Sequence, residues 1–318
     1  MLIQTLPISH PLTITAEPLT PTAFSPFGSV LTNPAPERRP HNTPASALPS
    51  GYGAVSANQG TAIQYRALAP PLRNLYDQAP SRKPGTPRTT MFVCGARELL
   101  PDEDVGWDQG REKDKEKRAK RQKHKHDKRS HDRSTRDSDG STEAGFFPLL
   151  ILERHPYTTQ TFIPLGASAR THYLVIVAPS LPPDTADKDL PVPTGEKLPG
   201  RGLPDLHNLR AFISTGTQAV TYGAGTWHAP MAALGAAGSA IEFVVVQFAN
   251  DEPAEDCQEV ALEGRGSGEK EGGKGGRGEK KEKEKGREKE RKKEEGGNED
   301  VPRIMVRVPL RKARLSKL

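Results

Sequence analysis

Apolar positions in this chain fall in short runs separated by Gly, Pro and polar clusters, which is the punctuation of strands rather than helices. Tyr173-Leu-Val-Ile-Val177 is the strongest buried-strand signal, followed closely by Pro179. Ile241-Glu-Phe-Val-Val-Val246 is the second, and both are expected deep in the core. Shorter extended segments are predicted at residues 2–6, 12–16, 58–65, 91–94, 146–152, 161–163, 209–213 and 219–222, with another beginning near Val30. The run Ile304-Met-Val-Arg-Val308 reads as a final strand or edge. Amphipathic helical stretches are scarce. The expected fold is therefore mainly β, a closed or sandwich-like antiparallel core with few short helices.

Two segments break this pattern. Residues 111–136 carry thirteen Lys/Arg against five Asp/Glu, and residues 261–300 carry thirteen Lys/Arg, twelve Asp/Glu and eleven Gly. Neither holds enough apolar surface to offset the entropy of ordering its backbone. Residues 1–262 are accordingly expected to form one domain, interrupted by a charged, disordered insert at about 101–145. A low-complexity Gly/Glu/Lys segment at 263–300 would follow, then a final strand and basic tail at 301–318. Such excursions are tolerated because loop-closure cost grows only logarithmically with length.

Charge changes the picture little. The net charge is +6, and the first insert alone contributes +8, so the globular part is not basic. No zinc-finger spacing or recognition-helix pattern accompanies the basic tract, and nucleic acid is not expected as a partner. Two cysteines, Cys94 and Cys257, form no disulfide framework, and no apolar run approaches the roughly 18 residues of a membrane span. The amino terminus lacks a secretory pattern. A cytoplasmic protein with no membrane partner is expected.

Polar clusters set inside the apolar segments carry the candidate chemistry. Glu153 and His155 would share one strand face while Arg154 points away, and a turn could return Gln160 towards His155. A surface turn that caps strand ends is the plain alternative. Gly225 and Pro230 restrain the backbone around Trp227-His228. His228 is thereby placed as an acid, a base or a metal ligand. Trp227 could wall a pocket or pack in the core. Arg210 offers paired donors suited to a carboxylate, with Asn208 on the same face of an extended segment, unless Glu242, Asp205 or another acid holds the guanidinium. Tyr222 precedes the Gly turn. Cys257 has no adjacent base and reads as structural.

Four blocks in order then resemble the ureidoglycolate lyase family, particularly its fungal forms. They are Leu152-Glu-Arg-His-Pro-Tyr-Thr-Thr-Gln-Thr-Phe-Ile-Pro-Leu-Gly166, Asp205-Leu-His-Asn-Leu-Arg-Ala-Phe-Ile213, Gly216-Thr-Gln-Ala-Val-Thr-Tyr-Gly-Ala-Gly-Thr-Trp-His-Ala-Pro-Met231, and Val244 to Asp251 with Asp256-Cys-Gln-Glu259. Many relatives have a second histidine where this chain has Ala229. The resemblance implies a cupin-like β-barrel or double-sheet core, a homodimer, and a carbon–nitrogen lyase of purine and allantoin catabolism. Such an enzyme cleaves (S)-ureidoglycolate, a small-molecule substrate, to glyoxylate and urea. It also implies a divalent metal, with His155, Gln160 and His228 as ligands. His228, His155 and Glu153 would be catalytic, and Arg210, Asn208, Gln160, Tyr222 and Trp227 would line the substrate site. An amidohydrolase releasing ammonia, or a non-catalytic binding module recruited through the basic insert, are the alternatives.

Overall fold

The computed structural model describes residues 1–101, 144–185, 187–195, 198–264 and 304–309. The expected charged insert, the Gly/Glu/Lys segment and the basic tail lie almost wholly outside the described residues. Among the described residues the fold is mainly β, with several sheets and few short helices.

Strands are numbered in chain order. The largest sheet contains β1 (Leu2–Ile8), β3 (Glu17–Pro18), β9 (Ile151–Arg154), β11 (His172–Ala178), β12 (Arg210–Thr215), β14 (Trp227–His228), β15 (Ala232–Leu234) and β17 (Gln258–Gly264). Its order is β1-β17-β9-β14-β11-β12-β3, with β15 also paired to β11. A second sheet runs β4 (Gly28–Leu31), β13 (Ala219–Tyr222), β10 (Gln160–Leu165), β16 (Ala240–Ala249) and β7 (Thr86–Gly95). A third joins β2 (Leu12–Thr15), β18 (Ile304–Pro309) and β8 (Ala144–Pro148). The hairpin β5 (Ala54–Ala57) and β6 (Ala62–Tyr65) stands apart. Two one-turn helices, Pro21–Phe24 and Pro253–Asp256, each start with Pro in the first turn, where its missing N–H costs nothing. The sheets run as open paths, and no closed barrel forms among the described residues.

The unbroken apolar run of β11 has a simple cause. Tyr173, Val175 and Val177 pack against Phe162, Val220 and Phe243 of the second sheet. Leu174, Ile176 and Ala178 belong instead to a cluster with Leu152, Val260 and the β18 residues Ile304, Val306 and Val308. The strand is covered on both faces, so it has no polar face. β18 is not an edge as the sequence allowed: it lies in the middle of its sheet, parallel to β2 and antiparallel to β8.

β16 differs from its expectation. Ile241, Phe243 and Val245 are buried, but the alternate residues Glu242, Val244 and Val246 are not. The outer face of the second sheet is uncovered there. Residues 206–208 also differ, since Leu206–Asn208 is a single 3-10 turn capped by Asp205 rather than extended chain.

Candidate functional site

Register brings the polar clusters together. Glu153 on β9 lies opposite His228 on β14 and opposite Glu259 on β17. Residues directly opposed in adjacent strands share a face, so these three side chains form one row. In the facing sheet Gln160 opposes Tyr222, and both point into the space between the sheets. His155 follows β9 directly, and its ring centroid is 5.5 Å from that of His228. The backbone N–H of Gly225 donates to the His155 carbonyl at 2.8 Å, tying the loop of one histidine to the turn preceding the other. Gly225 has φ +79, a conformation that strains any residue with a side chain.

Both imidazoles are oriented through their Nδ1 atoms. His155 Nδ1 lies 2.6 Å from the Asp256 carbonyl, and His228 Nδ1 lies 2.9 Å from the Thr226 carbonyl. A carbonyl only accepts, so the proton of each neutral ring sits on Nδ1 and the lone pair on Nε2. Among the described residues both Nε2 atoms are buried without a hydrogen-bond partner, as is Gln160 Oε1. The Gln160 amide nitrogen meanwhile donates to Gln247 Oε1 at 2.7 Å. Ligand atoms of Glu153, His155 and His228 lie within 4.8 Å of one another. Two free imidazole lone pairs beside a carboxylate fit a divalent cation, and the orphaned atoms are left unsatisfied by the protein alone. The same residues can also exchange protons with a small molecule.

Burial sets their electrostatics. It is the main cause that lowers His228 to about 3, with His155 adding to the effect. His155 is lowered for the same main reason. Burial, then the neighbouring Glu259, pushes Glu153 up to about 7. His228 Nε2 is 3.6 Å from Glu153 Oε1, beyond hydrogen-bonding reach, and each group is driven towards its neutral form. That contact is therefore not an ordinary salt bridge. The Tyr222 ring stacks on His228 at 3.9 Å and 14°, and its buried hydroxyl has no partner among the described residues. Burial raises that phenol well above its ordinary value.

Other candidates stand elsewhere. Trp227 is fully buried on the opposite face of β14 from His228, and its Nε1 donates to the Gly202 carbonyl at 3.0 Å. Arg154 packs over it at 4.4 Å, with its guanidinium held by Gln258 and the Gly202 and Arg201 carbonyls. Arg210 is engaged by Glu17, not by Glu242 or Asp205, and donates to the Ala23 carbonyl. Asn208 is exposed and donates to Asp205 at 2.7 Å. The structure thus brings together Glu153, His155, Gln160, Tyr222 and His228. A cavity of about 510 Å³ bordered by Arg73, Thr159 and Thr221 has none of these five residues in its lining.

Sequence reasoning missed the supporting residues Asp256 and Gln247, and the approach of Cys257 Sγ to within 3.9 Å of Glu153 Oε2. The thiol is pushed up to about 12, first by burial and then by Glu153, so it is not a ready nucleophile. The Asp256-Cys-Gln-Glu259 block was the available signal.

Residues 11–267 match the family described as ureidoglycolate lyase. Ureidoglycolate lyase of Saccharomyces cerevisiae is 41% identical over 126 residues, covering 38% of this chain and 54% of the yeast protein. The Schizosaccharomyces pombe protein of that name is 37% identical over 122 residues, covering 38% and 53%. The Burkholderia cepacia protein is 35% identical over 115 residues, covering 36% and 49%. The chain thus spans about half the length of the curated relatives it matches. With the family match extending over most of the sequence, this chain belongs to the ureidoglycolate lyase family.

Proposed function

We propose that this protein is a carbon–nitrogen lyase that converts (S)-ureidoglycolate to glyoxylate and urea. The observation that carries the reading is the convergence of two buried, unpartnered imidazole Nε2 atoms on the Glu153 carboxyl, in a chain of this family. The substrate carries a hydroxyl and a ureido nitrogen on one carbon. Cleavage removes the hydroxyl proton, turns the C–O bond into a carbonyl, and sends the C–N electron pair to nitrogen, which takes up a proton. Glu153, raised to about 7, can accept the first proton and return one to the departing nitrogen. His155 and His228 present lone pairs in fixed orientations, and Gln160 and Tyr222 offer polar atoms to the ureido group. A divalent cation held by His155, Gln160 and His228 would supply Lewis-acid polarisation of the substrate's hydroxyl oxygen.

The stacked sheets support a cupin-like reading of the fold. A homodimer is supported by the outer face of the second sheet. Met91, Val244 and Ile163 lie side by side across β7, β16 and β10, and two residues along Val93 and Leu165 flank the exposed Glu242. Met91, Val93, Ile163 and Leu165 are all exposed, an apolar patch of the kind that a second copy covers.

Product analysis with the purified chain tests the activity. One urea per glyoxylate with no ammonia is expected, whereas ammonia would indicate amidohydrolysis. Deleting residues 111–136 should leave turnover intact, and loss of a macromolecular partner with no substrate turnover in either form would favour a binding module.

A further inference from the structure

His155 is held from outside the site by a chain of contacts that begins at Tyr76. The Tyr76 hydroxyl donates to Asp256 Oδ1 at 2.6 Å. Two backbone N–H groups, of Asn250 and Asp251, donate to the same carboxylate at 2.9 and 2.8 Å. Three donors on one carboxylate fix its position, and with it the Asp256 carbonyl that accepts from His155 Nδ1. Tyr76 also touches the other arms of the site. Its ring packs against Tyr157, two residues after His155, at 5.6 Å. Its oxygen lies 3.2 Å from the carbonyl of Phe248, next to the Gln247 that holds Gln160. The Tyr76 side chain is 1% exposed, and Gly85 leaves the room it needs, since a Cβ there would fall 2.2 Å from Tyr76 Cδ2.

We propose that Tyr76 is a positioning residue that, through Asp256, keeps the His155 proton on Nδ1 and its Nε2 lone pair directed at Glu153 and His228. This rests on the proposed role of that cluster, but its test does not depend on catalysis. The loss of one hydroxyl leaves the Asp256 carboxylate with two backbone donors and frees the Pro253–Asp256 turn to shift. The His155 ring then has no fixed acceptor and samples both tautomers, which weakens one nitrogen donor to any cation.

The experiment uses the full-length, cation-free chain with ¹⁵N-labelled histidine, His155 being assigned by comparison with His155→Asn. Cobalt(II) alone is the cation probe. Wild type should show one Nδ1-protonated tautomer at His155. Tyr76→Phe should show a mixture, with cobalt affinity lower by about 10-fold, within the range typical of lost outer contacts to a metal-bound histidine. Asp256→Asn is the second variant should the first not fold, and should behave likewise. Ser81→Ala removes neighbouring bonds to Glu255, the Asn250 side chain and the Lys83 N–H but leaves all three donors to Asp256 in place, and should leave both readouts at wild type. Wild-type tautomer and cobalt affinity in Tyr76→Phe or Asp256→Asn would overturn the proposal, as would an equal shift in Ser81→Ala. Shifts confined to Tyr76→Phe and Asp256→Asn, in a chain that does not turn over (S)-ureidoglycolate, would uphold the positioning role and refute the lyase reading alone.

Discussion

His228 and Glu153 face each other with opposite responses to burial. Folded His228 binds its proton only below about 3 against an ordinary 6.5, so between those values the unfolded chain holds more protons. The cation-free protein therefore gains stability as pH rises through that window and loses it on acidification. Glu153 acts in the other sense between its ordinary 4.5 and about 7, because there the folded chain holds more protons. Urea unfolding at a series of pH values should show His228→Asn flattening the rise and Glu153→Gln steepening it. The residue types behind this chemistry were legible: histidines inside apolar strands stand out in any reading. Their partners were not. Arg210 was a sensible carboxylate clamp by type, but Glu17 engages it from 193 positions earlier in the chain. Asn208 was assigned a face on the assumption of extended backbone, and the 3-10 turn removed that face.

Elements translate these side chains into a site. The turn from Gly223 to Thr226 sets the direction of β14 and donates to the His155 carbonyl through Gly225. Gly225→Ala would force a side chain into left-handed backbone at a cost of roughly 1–2 kcal/mol. Its Cβ would also sit 3.3 Å from Pro199. Thermal unfolding should register the cost, and cation affinity should fall because the two histidine segments separate. Phe243→Ala should cost roughly 3–5 kcal/mol by denaturant unfolding, since its ring is fully buried between the sheets. β11 was legible because burial on both faces writes a continuous apolar run. β16 carries a similar apolar run, but Val244 and Val246 lie on a face that is only half-buried.

At the scale of the molecule, sheet order carries the information that local pattern lacks. The row Glu259–Glu153–His228 joins residues of three strands that are far apart in sequence, and periodicity within each strand says nothing of that pairing. The same holds for β18, which crosses to the middle of a sheet begun near the amino terminus. The uncovered outer face of the second sheet gives a further expectation. If that face is the proposed dimer contact, Ile163→Lys and Val93→Lys should leave only monomer in sedimentation experiments without unfolding the chain, because both side chains already meet solvent in the single chain.

Turnover of (S)-ureidoglycolate by His228→Ala, measured as glyoxylate and urea released against the wild-type chain, bears most directly on the convergence of these groups. Removing the buried Nε2 lone pair that faces the Glu153 carboxyl should lower the rate by about 100-fold or more, comparable to the loss of a positioned acid–base group. A variant that released both products at close to the wild-type rate would place the chemistry elsewhere in the molecule.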